Sequence, residues 1–222
     1  QAHNNLGNVQ KDLNQLDDAL KSYERAIAID PEFAQAHNNL GNVQKDLNQL
    51  DDAIKSYERA IAIDPEFAQA HNNLGNVFKE LDDNNESISS YEKAIEIDPN
   101  FAEAYYNLGI INKKIRKFDF AVQNFKKAIS LKQDFAEAYN NLGSTYNALG
   151  KSKKAIELYE KVFTLNPNYA EAHNNLGSAL KDLRRSKEAA KCYEKAILIN
   201  PDYAEAYCNL GSIYNDKKDR LN

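Results

Sequence analysis

The sequence predicts an all-α fold, an α-solenoid of stacked two-helix units, and three observations carry that prediction. Seven of the eight glycines, Gly7, Gly41, Gly75, Gly109, Gly143, Gly177 and Gly211, each fall 34 residues after the last. The five prolines, Pro31, Pro65, Pro99, Pro167 and Pro201, keep the same period with one beat missing. Within each period, apolar residues recur at i, i+3 and i+4 in two runs, the mark of paired amphipathic helices. A period of roughly 20–50 residues signals a repeat array. Here it fills the chain, so a single array over 1–222 is expected.

The helix pairs are expected at about 1–33, 34–67, 68–101, 102–135, 136–169 and 170–203, followed by a lone helix at 204–217. The fourth pair shows the pattern. Its first helix, about 102–115, turns Ala104, Tyr105, Leu108, Ile111 and Ile115 to one face, and its second, about 119–131, does so with Ala121, Val122, Phe125, Ala128, Ile129 and Leu131. In most units a proline closes the second helix, because it lacks a backbone donor and restricts its predecessor. Gln133 replaces that proline, so the helix before it is expected to run on. The Gly column and the column Ala19, Ala53, Ser87, Ala121, Ala155 and Ala189 fall where paired helices cross, while Tyr23, Tyr57, Tyr91, Phe125, Tyr159 and Tyr193 fill the space between units. Leu13, Leu47, Leu81, Ile115, Leu149 and Leu183 form an apolar column that becomes Lys217, as suits a capping helix with a polar outer face. Units 1–34 and 35–68 differ only at Leu20 against Ile54, which points to a recent duplication or an array lengthened by engineering.

Composition narrows the function. A net charge of −5 argues against a nucleic-acid partner. No apolar run approaches the roughly 20 residues needed to span a bilayer, and no membrane partner is expected. Two cysteines, Cys192 and Cys208, make no disulfide framework, so a reducing, cytoplasmic setting is expected. With no methionine in the chain, Gln1 is expected not to be a natural start, and the sequence reads as part of a longer protein.

A 34-residue helix–turn–helix with Leu-Gly in the first helix, Ala and Tyr in the second and a closing Pro resembles the tetratricopeptide repeat, over the whole chain. The chain departs from the family at His3, His37, His71, Tyr105, Tyr139, His173 and Tyr207, where the family often has Trp. The resemblance implies a right-handed superhelix whose first helices line an inner groove. On such a helix Gln35, Asn38, Asn39, Asn42 and Lys45 share one stripe. The columns behind it are Asn4, Asn38, Asn72, Tyr106, Asn140, Asn174, Cys208 and, unbroken, Asn5, Asn39, Asn73, Asn107, Asn141, Asn175, Asn209. A third, Asn8, Asn42 and Asn76, lapses to Ile110 and then Ser. An amide both donates and accepts, as a peptide group does, so the candidate ligand is an extended protein or peptide segment read through its backbone. The competing account is that these amides bond neighbouring helices or reflect a chain with 28 asparagines. Lys45 and Lys79 enter the groove beside Asp46 and Glu80. Groove carboxylates such as Glu103, Glu137, Glu171 and Glu205 speak against capture of a C-terminal carboxylate.

Other signals fail. The four histidines stand a unit apart and read as aromatic fillers rather than ligands. Gly150-Lys151-Ser152 lacks the preceding glycine of a phosphate loop, since position 145 is Thr. No catalytic constellation, metal set or cofactor site is expected, so the chain reads as a non-catalytic binding scaffold. The alternative, implied by resemblance to the asparagine-ladder arrays of O-linked N-acetylglucosamine transferases, is the substrate-recruiting arm of a larger transferase. End-to-end self-association is a third reading. Changing Asn107, Asn141 and Asn175 to Ala is expected to leave the fold intact and to weaken peptide capture.

Overall fold

The computed structural model describes residues 1–218, with side chains through Asn215. Among them are thirteen helices and no strand, an all-α helical repeat solenoid. The chain divides into two compact units, Gln1–Ile111 and Asn112–Asn222.

The first unit holds α1 (Ala2–Asp12), α2 (Leu16–Ile29), α3 (Ala34–Asp46), α4 (Leu50–Ile63), α5 (Ala68–Glu80), α6 (Asn84–Ile97) and most of α7 (Ala102–Lys114). The second holds α8 (Phe118–Leu131), α9 (Ala136–Ala148), α10 (Ser152–Leu165), α11 (Ala170–Asp182), α12 (Ser186–Ile199) and α13 (Ala204–Lys218). Within each unit a second helix packs on its own first helix and on the next one, as α2 does on α1 and α3 and α10 does on α9 and α11.

The small residues act as close-contact points. A Cβ on Gly41 would lie 2.7 Å from a ring carbon of Tyr57, and the same holds for Gly7 with Tyr23, Gly75 with Tyr91, Gly143 with Tyr159 and Gly177 with Tyr193. The tyrosines therefore seal each pair as well as the seam to the next. Ala19 and Tyr23 cluster with Leu40 and Val43, and Ala53 and Tyr57 with Leu74 and Val77.

Two local devices fix the turns. After each first helix the described turns place Asn14, Asn48, Asp82, Arg116, Gly150 and Arg184 at positive φ, between 58° and 70°. That is the left-handed residue that commonly ends a helix. After the second helices, the Oδ1 atoms of Asp30, Asp64, Asp98, Asn166 and Asn200 accept from the backbone two residues on.

One expectation is corrected. The helix before Gln133 does not run on: α8 ends at Leu131, and Lys132 is as extended as its counterparts. Burial of Phe135 at 7% exposure and the start of α9 at Ala136 fix the turn without the proline. Tertiary anchoring overrides the missing stop signal. The capping role expected of Lys217 falls outside the described side chains. Among the described residues no helix is long and apolar enough to cross a membrane.

Candidate functional site: a ladder of amides on the first helices

In the first unit, α1, α3, α5 and α7 are joined along one face by asparagine side chains. Asn39 Nδ2 donates to Asn4 Oδ1 at 3.1 Å and to Asn8 Oδ1 at 3.2 Å. Asn73 Nδ2 repeats this with Asn38 at 3.0 Å and Asn42 at 3.1 Å, and Asn107 reaches Asn72 at 3.1 Å. The amides of Gln1, Gln35 and Gln69 donate to Asn5, Asn39 and Asn73, which orients each rung.

The second unit builds the same ladder with a variation. Asn175 donates to Asn140 at 3.0 Å and Asn209 to Asn174 at 2.9 Å. Asn140 and Asn174 pass the bond on to Glu171 and Glu205. Asn141 instead turns back to the Glu137 carbonyl at 3.0 Å. The residue 35 positions before it is Tyr106, which carries no amide.

The columns sort by depth. Asn38, Asn72, Asn140 and Asn174 are at most 4% exposed and act as acceptors inside the ladder. Asn39, Asn107, Asn141, Asn175 and Asn209 are half-buried, Asn5 is exposed and Asn73 is buried. The ladder takes up the donor groups of Asn39 and Asn73.

The third column behaves differently. Asn8 is exposed, and Asn42 and Asn76 are half-buried. Their oxygens are occupied: Tyr23 donates to Asn8 at 2.8 Å, Tyr57 to Asn42 at 2.8 Å and Tyr91 to Asn76 at 2.9 Å. Burial, with Asp12 nearby, pushes the Tyr23 hydroxyl up to about 12, and burial raises Tyr57 and Tyr91 as well, so all three remain donors. Each oxygen is taken, and among the described residues no hydrogen bond engages the Nδ2 group of Asn8, Asn42 or Asn76.

The sequence carried a signal for this pairing that the column-by-column reading missed. Fifteen residues separate Asn8, Asn42 and Asn76 from Tyr23, Tyr57 and Tyr91, and where the Asn column lapses to Ile110 the Tyr column becomes Phe125. The hydroxyl is lost opposite the apolar Ile110, but Tyr159 and Tyr193 keep it opposite Ser144 and Ser178, and Ser178 still meets the Tyr193 hydroxyl at 3.4 Å. At Ser144 the shorter side chain breaks the bond and leaves the buried Tyr159 hydroxyl without a partner.

The lysines are neutralised or tied down. Lys11 pairs with Asp46 at 3.5 Å, and Lys45 with Asp46 and Glu80 at 3.5 and 3.7 Å. Lys79 donates to Asn76 at 3.3 Å. Lys113 donates to Ser144 and Asn141 at 2.6 and 3.1 Å. Burial lowers the pKa of Lys79 and Lys113. In the first unit a pocket of about 340 Å³ opens on this face, lined by Asn8, Lys11, Asp12, Tyr23, Asn39 and Asn42.

The remaining candidates take structural places. His37, His71 and His173 each bond the carbonyl of the proline six residues back, at 3.0–3.2 Å. Among the described residues no His, Cys, Asp and Glu group could hold a metal ion. Cys208 is exposed, and Cys192 is half-buried on α12 with its thiol pushed up to about 11 by burial.

Comparison with known proteins agrees with the repeat. The family described as TPR repeat matches residues 7–47, 42–82, 76–115 and 117–150. Tetratricopeptide repeat families match 136–169, 170–203 and 192–221. No curated protein matches the chain. Among solved structures, it is similar to YrrB, described as a TPR protein with an unusual peptide-binding site, at 25% identity and TM-score 0.69, covering 83% of this chain and 95% of that one. It is similar to MamA at 30% identity and TM-score 0.68, covering 79% and 96%. PilW, a type IV pilus biogenesis factor, shares the fold at 22% identity and TM-score 0.84, over 94% and 97%. Repeat period, crossing glycines and family matches agree, and the chain belongs to the tetratricopeptide repeat family.

Proposed function

We propose that this chain is a protein-interaction scaffold that holds an extended polypeptide segment on the asparagine-lined face of its first helices. The carrying observation is the row of Asn8, Asn42 and Asn76, each amide held through its oxygen by a tyrosine hydroxyl. A locked amide loses little side-chain freedom on binding, which lowers the entropic cost of capture. The pocket beside Asn8 and Asn42 gives a bound chain a place to sit, and similarity to a peptide-binding repeat protein supports the reading. The polypeptide backbone, common to all sequences, is the feature such a row reads.

A random-peptide array probed with the labelled protein tests this. Wild type is expected to bind many unrelated peptides, and the double variant Asn42→Ala, Asn76→Ala to lose signal across all of them alike. An unchanged bound set would contradict the reading. The unbroken column from Asn5 to Asn209 also suits the recruiting arm of a larger transferase. Sequence continuing past Asn222 into such a domain would establish that role.

A further inference from the structure

We propose that the Asn8–Asn42–Asn76 row takes a proline-rich segment in the polyproline II conformation, with one carbonyl of every third residue accepting from one asparagine. The inference rests on the polypeptide reading above and specifies which polypeptide.

The first argument is polarity. Each of the three amide oxygens is already engaged, by Tyr23, Tyr57 or Tyr91 and by Asn39, Asn73 or Lys79. What the described bonds leave over is a row of donors. Such a row bonds carbonyl oxygens and has nothing to offer a peptide N–H. Proline, which has no N–H, therefore loses no bond here.

The second argument is period. Neighbouring packed helices stand about 8–10 Å apart, so the row offers a donor at about that interval. An extended strand rises about 3.4 Å per residue and alternates its faces, so carbonyls on one side recur at about 6.8 Å, out of step with the row. Polyproline II repeats every three residues at about 3.1 Å each, which places equivalent carbonyls about 9.3 Å apart on one side. Its backbone makes no internal hydrogen bonds, so those carbonyls are open to the asparagines.

The third argument is charge. Lys11 and Lys45 are paired with Asp46 and Glu80, and Asp12 lines the pocket. A carboxylate or phosphate would meet those acids, whereas a neutral carbonyl meets no such opposition.

Fluorescence anisotropy with two labelled ten-residue peptides, decaproline and an alanine–serine sequence that retains its N–H groups, tests the inference. Wild type is expected to bind decaproline at least as tightly as the control peptide. The variants Asn8→Asp, Asn42→Asp and Asn76→Asp keep the oxygen that the tyrosine needs, remove the second donor and add a negative charge. Each is expected to weaken decaproline binding by about fivefold, one ordinary hydrogen bond, with circular dichroism and melting confirming the fold. If the alanine–serine peptide binds through these asparagines and decaproline does not, the polyproline inference is overturned while the polypeptide reading stands. Binding of neither peptide overturns both. Decaproline binding that is equal in wild type and the Asp variants places the ligand elsewhere and overturns the inference.

Discussion

Asn39, Asn73, Asn107, Asn175 and Asn209 each donate to an amide one repeat back and so tie the first helices together. Asn73 bridges two helices of the first unit through bonds to buried Asn38 and half-buried Asn42. Removing its amide strands the Asn38 oxygen in the interior. Asn73→Ala is therefore expected to cost about 1–3 kcal/mol, read from the urea midpoint. The same geometry bears on the expectation that changing Asn107, Asn141 and Asn175 to Ala leaves the fold intact, since Asn107 and Asn175 donate to Asn72 and Asn140, both buried. The stripe of amides was legible in the sequence, but their directions were not, because which amide group faces out depends on hydrogen bonds from residues 15 and 35 positions away. The histidines show a second residue-scale effect. Burial holds His71 and His173 below their usual 6.5. The unfolded chain then binds more protons in the window below 6.5, so their contribution is full above it and is lost as pH falls. Replacing both with Tyr, which stands at 105, 139 and 207, is expected to flatten the decline of the urea midpoint across that window. An equally steep decline in the double variant would show that other groups cause it.

At the scale of the helix pair, the crossing glycines set how closely two helices approach. A methyl group on Gly41 would enter the ring of Tyr57, which is fully buried and has no space to retreat. Gly41→Ala is expected to destabilise by about 1–3 kcal/mol as an overpacked contact, despite the better helix propensity of Ala. Adding Tyr57→Phe should not rescue it, because the clash is with the ring rather than the hydroxyl. Thermal melting of both variants would check this. The helical repeat was readable, because Gly, Ala, Tyr and Pro keep fixed places in the period. The exception at Gln133 is instructive: a proline permits the turn, but Phe135 and the start of α9 enforce it.

At the scale of the molecule, repetition makes the parts exchangeable. Units 1–34 and 35–68 differ only by Leu20 against Ile54, so α2 and α4 offer nearly identical surfaces to the helix that follows. Deleting 35–68 joins α2 directly to α5 through contacts that α4 already makes. The shortened chain is expected to fold with one repeat less of stability, a lower melting temperature and unchanged helicity per residue. Loss of cooperative melting would show that the duplicated unit is not interchangeable. The array itself was plain from the period, whereas the face proposed for binding required the bonds between repeats.

In the function proposed above, this scaffold holds one row of asparagine amides, those of Asn8, Asn42 and Asn76, ready to bond a polypeptide. Side-chain amide resonances report on it directly, in a 15N-labelled sample titrated with decaproline. The account predicts shifts for the Nδ2 groups of Asn8, Asn42 and Asn76, while those of Asn39 and Asn73 stay protected from solvent exchange in the ladder. Shifts confined to other residues, or rapid exchange at Asn39 and Asn73 in the free protein, would contradict it.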